Sequence, residues 1–144
     1  MSQNRLIHYI YWSFILISLP LRLFAVVYEV AIYDPKVKTP ILYPSYGKFD
    51  DQLQAPIIPI ASSVPLLLEF DYLESSYQPF YVKLIHCERD WQPSTLIDSE
   101  YLREFINDFL ITDYTMSINT RVKYVHYRVQ VPKVIASGNY VLKV

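Results

Sequence analysis

From residue 26 onward, apolar residues come in short runs separated by Pro, Ser, Asp and Asn, with no long stretch at the helical period. That pattern predicts an all-β sandwich. The predicted strands are 26–33 (VVYEVAIY), 39–46 (TPILYPSY), 55–60 (APIIPI), 65–73 (PLLLEFDYL), 80–88 (FYVKLIHCE), 114–119 (YTMSIN), 122–132 (VKYVHYRVQVP) and 139–144 (NYVLKV). Alternation is clearest in 122–132, where Val125, Tyr127, Val129 and Val131 form an apolar face and Tyr124, His126, Arg128 and Gln130 a polar one. Pro40, Pro44, Pro56 and Pro59 have no N–H to donate, so the second and third runs are expected at sheet edges or with bulges.

One segment has helical spacing. In 98–110 (DSEYLREFINDFL), Asp98 or Ser99 can cap, and Leu102, Phe105, Ile106 and Phe109 share a face. A short helix over one end of the sandwich is expected there. Gly47 and Gly138, the only glycines, mark turns. After Gly138, Tyr140, Leu142 and Val144 alternate with Val141 and Lys143, and the chain stops inside this strand, as expected of the N-terminal part of a longer protein.

Residues 1–25 read differently. Arg5 precedes an apolar run from Leu6 to Leu19, which Pro20 and Arg22 interrupt before it is comfortably long enough to span a bilayer, and Ala25 offers a small residue for cleavage. A helical signal peptide over 1–25, followed by a sandwich domain over 26–144, is the expectation. A retained anchor and a buried segment are the alternatives, and Leu23 is larger than usual for a cleavage site.

Composition narrows the function. A hydrophobic content of 52% over 144 residues supports one real core. The formal net charge of -1, with 19% charged residues, gives no general attraction to nucleic acid or anionic lipid. Loss of the leader removes Arg5 and Arg22 and no acid, leaving a mildly acidic exported protein. Its single cysteine, Cys87, can neither form an internal disulfide nor define a zinc site.

Two glycines cannot build a phosphate-cradling loop. The histidines are His8, in the leader, with His86 and His126, which is thin material for a triad. His86-Cys87-Glu88-Arg89-Asp90 contains metal-ligand types, but adjacent strand residues face opposite sides, so a strand end turning into Trp91 is the simpler reading. The acid groupings Asp50-Asp51, Asp98 with Glu100, and Asp108 with Asp113 lack the companions a calcium or glycosidase site needs. No catalytic, cofactor or metal residue is therefore assigned. What is left is a candidate partner surface of Trp91, Tyr101, Tyr124, His126 and Arg128, residue types that suit interfaces. The last three either brace a neighbouring loop or touch a partner. Two other readings stay open: an exported carbohydrate-binding or adhesin-like module stacking sugars on Trp91 or Tyr124, and a hydrolase holding zinc through His86 and His126.

The ordered phrases FDYL (70–73), IHCERDWQPSTL (85–96), EYLREF (100–105), ITDYTMSINT (111–120), YVHYRVQVP (124–132) and SGNYVLKV (137–144) resemble the N-terminal domain of the plug protein of the type IX secretion system. Each phrase alone is weak; the ordered set is specific. Arg103 and Glu104 stand where a glycine-containing phrase is expected, and the segment before Ser137 is shorter than usual. The resemblance implies an immunoglobulin-like β-sandwich belonging to a considerably longer periplasmic protein without enzymatic activity. It further implies a partner, the outer-membrane translocon barrel, whose periplasmic mouth the protein closes, so that any membrane association runs through that partner.

Overall fold

The computed structural model describes residues 30–144. The leader expected over 1–25 and the first part of the 26–33 run lie outside these residues. Seven strands form: β1 (Val37–Pro44), β2 (Leu66–Tyr72), β3 (Tyr81–Cys87), β4 (Phe109–Leu110), β5 (Asp113–Met116), β6 (Val125–Gln130) and β7 (Asn139–Lys143). They make two antiparallel sheets, ordered β1-β2-β6-β5 and β4-β3-β7. The first is the A-B-E-D order of an immunoglobulin-like sandwich, and the second supplies its C′-C-F strands. Among the described residues nothing occupies the place beside β7 where strand G lies in that arrangement.

The core follows from the alternation. Phe70 and Tyr72 of β2, Val82 and Leu84 of β3, and Val125 and Tyr127 of β6 point inward, joined by Tyr101, Leu102, Ile111 and Val131. Tyr127 is its centre. Its ring stacks on Phe70 at 5.2 Å and meets Phe80 edge-on at 5.1 Å, the two geometries that aromatic quadrupoles favour. Its hydroxyl accepts from the Gln78 N–H at 2.8 Å and donates to the Gln78 carbonyl at 3.0 Å, so the buried phenol leaves no polar atom unpaired.

Four expectations need correction. Residues 30–33 are irregular and mostly exposed, not part of a strand. The 55–60 run forms no strand either, because Pro56 and Pro59 remove ladder donors; it lies inside the long connection 45–65 between β1 and β2. The 39–46 run shifts to Val37–Pro44, an edge strand bulged between Lys38 and Ile41, with Thr39 at φ 48 just before Pro40.

The predicted 98–110 helix is a single turn, α1 (Asp98–Tyr101). Its N-cap is neither Asp98 nor Ser99 but Ile97, whose N–H donates to the Glu100 carboxylate at 2.9 Å. Leu102 then turns extended and is buried, while Phe105 and Ile106 stand in solvent. At the helix end the Tyr101 carbonyl accepts from the Ile135 N–H at 2.8 Å and Leu102 bridges Val134, and Asn107 anchors the chain beyond. Its amide oxygen accepts from the Leu84 N–H at 2.9 Å and its amide nitrogen donates to the Leu84 carbonyl at 2.7 Å, imitating a strand partner for β3. The chain continues from there as β4, paired with Tyr81 and Val82.

Candidate functional site

Strand direction distributes the candidate surface residues. β1 and β2 are joined by residues 45–65 at one end of the sandwich, and the turn after β3 and the approach to β7 lie at that same end. The start of β6 lies at the other. Trp91 and Tyr124 are therefore at opposite ends, and the five predicted residues do not form one patch.

Trp91 sits at the tip of the turn after β3. Its N–H donates to the Glu88 carbonyl at 3.0 Å, and Glu88 N–H donates to the Gln92 carbonyl at 2.8 Å, which holds the tryptophan at φ 63 and 45% exposed. A positive φ is uncommon for a bulky residue, and here two turn hydrogen bonds impose it.

Tyr101 departs from expectation. At 3% exposure it offers nothing to a partner. Its hydroxyl lies 2.5 Å from Asp98 Oδ1 and 3.1 Å from the Leu84 carbonyl, donating to one of them, and it accepts from the Asn107 amide at 3.2 Å. Burial, then the Asp98 carboxylate, pushes this phenol well above the usual tyrosine range.

The polar face of β6 is braced by β2. Arg128 lies directly across from Glu69, and His126 across from Asp71. Arg128 Nε donates to Glu69 Oε1 at 2.6 Å, and the same oxygen accepts from the Tyr43 hydroxyl at 3.0 Å. Gln52 Nε2 reaches Glu69 Oε2 at 3.4 Å, so this buried carboxylate is held from three sides. His126 Nδ1 is 2.8 Å from Asp71 Oδ1, whose partner oxygen accepts from Thr39 at 2.8 Å. The hydrogen bond to Glu69 raises the Arg128 guanidinium further above its ordinary value. Burial, then the same carboxylate, raises Tyr43. Tyr124 is half-buried; its N–H donates to Ser117 Oγ at 3.0 Å and its carbonyl accepts from the Ser117 N–H at 2.9 Å. His126 and Arg128 thus brace β2, and each keeps one side in water.

His86 is buried beside Tyr101 and Tyr140. Its Nε2 is 3.2 Å from the Ser137 carbonyl, which can only accept, so that nitrogen carries the hydrogen and Nδ1 accepts from Ser94 Oγ at 2.8 Å. A Cβ at Gly138 would collide with this ring, which is why glycine stands there. Cys87 is 1% exposed, and burial pushes its thiol up, away from the reactive thiolate. His86 and His126 lie in different sheets, and among the described residues no group of three His, Cys, Asp or Glu side chains could share a metal ion.

Two features carried no sequence signal as a site. One is an open, largely apolar groove of about 1510 Å³ along β7, lined by Ile41, Leu42, Leu66, Trp91, Tyr140 and Leu142. The other is the 45–65 connection, whose Phe49, Leu53 and Ile57 are strongly exposed. Among the described residues no helix is long and apolar enough to cross a membrane.

The fold recurs in a crystal structure of a hypothetical protein from Parabacteroides merdae, with a TM-score of 0.74 and 27% identity over 81% of this chain and 29% of that one. The chain thus spans less than a third of the length of that solved relative. Comparison with curated proteins gave no match. A family described as "Type 9 secretion system plug protein 1st domain" matches residues 37–144, from the first residue of β1 to the last of the chain. By that match the chain belongs to the type 9 secretion system plug protein family, through its first domain.

Proposed function

We propose that this protein is a non-enzymatic component of the type IX secretion machinery that docks on the outer-membrane translocon from the periplasm and closes it when no substrate is passing. The family match over residues 37–144 is the observation that carries this reading. The described chemistry agrees with it. His86, Cys87 and Tyr101 are spent on internal contacts, and His126 and Arg128 on bracing β2 against β6. A wedge needs a stiff body and a surface that grips reversibly, so that substrate or another subunit can displace it.

Recovery of the translocon barrel by the tagged full-length protein, from outer membranes in mild detergent, tests the proposal. Co-purification in a fixed ratio is expected. A full-length protein that leaves the barrel behind would contradict it.

A further inference from the structure

The connection 45–65 is far longer than an ordinary hairpin loop and holds only one 3-10 turn, and loops of that length are usually either functional or linkers. Its base and its first half, 45–54, are nonetheless tied down, and local turn bonds from Ile57 to Ala55 and from Ser62 to Pro59 shape the rest. Ser45 N–H donates to the Pro65 carbonyl at 2.9 Å and closes the base. Asp51, 4% exposed, turns its carboxylate inward, where Oδ2 accepts from the N–H groups of Tyr46 at 2.7 Å and Lys48 at 3.0 Å. Gly47, at φ 78, permits the tight bend between them. The 3-10 turn Asp51–Leu53 follows, and Gln52 reaches down to Glu69 in β2.

On this frame stand the wrong residues for a solvated loop. Phe49 is fully exposed, Leu53 is 87% exposed and Ile57 79% exposed, with Tyr46 and Ile60 half-exposed nearby. Apolar side chains displayed on a hydrogen-bonded frame have little conformational entropy left to lose on binding, which is the condition for an interface anchor. Charge decides between a bilayer and a protein. Membrane-surface segments flank their apolar residues with several Lys or Arg, whereas this loop has Lys48 alone against Asp50 and Asp51, and no charge from Gln52 to Pro65.

We infer that residues 45–65 are the docking prong of this domain, seating Phe49, Leu53 and Ile57 in an uncharged, apolar cleft of a protein partner. The inference rests on the plug reading for the identity of that partner, the translocon barrel. The test measures binding of full-length protein to the purified barrel in detergent, for wild type, Phe49→Asp and Ile57→Asp. Both side chains lie in solvent, so the variants should melt as wild type does. Each is expected to bind at least about 10-fold more weakly.

Variants that bind as tightly as wild type would overturn the prong and leave the plug reading standing. A wild type that does not bind the barrel would overturn both. Two controls settle the other occupants. Sedimentation showing a wild-type dimer that Phe49→Asp dissolves would assign the prong to a second copy. Wild-type binding to vesicles of phosphatidylethanolamine and phosphatidylglycerol, lost in Phe49→Asp, would assign it to lipid. Either result would overturn the inference.

Discussion

Tyrosine hydroxyls do much of the internal wiring. Tyr127 clamps Gln78, Tyr101 ties α1 to β3, and Tyr43 completes the shell of Glu69. Burial is the largest cause raising Tyr127 and Tyr101. A phenol raised above its unfolded value of about 10 contributes stability that is complete below that pH and is lost as pH climbs towards the folded value. We therefore expect the urea midpoint to fall between about pH 9.5 and 11.5, and Tyr127→Phe to flatten that fall. The same substitution costs about 1–2 kcal/mol at neutral pH, because the Gln78 N–H loses its acceptor. A wild-type midpoint level across the alkaline window would contradict the assignment. At this scale the sequence was partly legible. The alternation in 122–132 placed Val125, Tyr127, Val129 and Val131 on the core side correctly. That Glu69 and Asp71 would face Arg128 and His126 depends on cross-strand register, which no local pattern states.

Among the elements, 98–110 is the instructive case. Leu102, Phe105, Ile106 and Phe109 have helical spacing, yet only Leu102 is fully buried, and the segment's anchor is the polar Asn107. A buried asparagine satisfying both backbone groups of Leu84 outweighs a modest helix propensity, since a four-residue turn has no helical cooperativity to lose. Asn107→Leu, similar in size but without polar atoms, strands the Leu84 N–H and leaves the Leu84 C=O to the Tyr101 hydroxyl alone, and is expected to cost about 1–3 kcal/mol by urea denaturation. A change under about 0.5 kcal/mol would show that the clamp is incidental. The strands were easier to read, because short alternating or continuous apolar runs between turn residues have few other solutions. Where prolines crowded a run, the outcome split: 39–46 became a bulged edge, and 55–60 became loop.

For the whole molecule, the two sheets bury one aromatic core and leave a flank open along β7, where the immunoglobulin arrangement has a further strand. Trp91 and the 45–65 connection stand at the same end of that flank. The sequence pointed to this end only through Trp91 and otherwise to Tyr124, His126 and Arg128, because mixed aromatic and basic residues suggest an interface, while an exposed Phe or Ile cannot be told from a core residue by local pattern. A body braced across its sheets, with an apolar prong at one end, suits a part that blocks an opening mechanically. The most direct measurement is ionic current through the purified translocon barrel in a planar bilayer, with and without saturating full-length protein on the periplasmic side. The plug account predicts that the current falls towards closure and recovers when the protein is washed out. An open-channel current unchanged at concentrations where the protein is bound would contradict it.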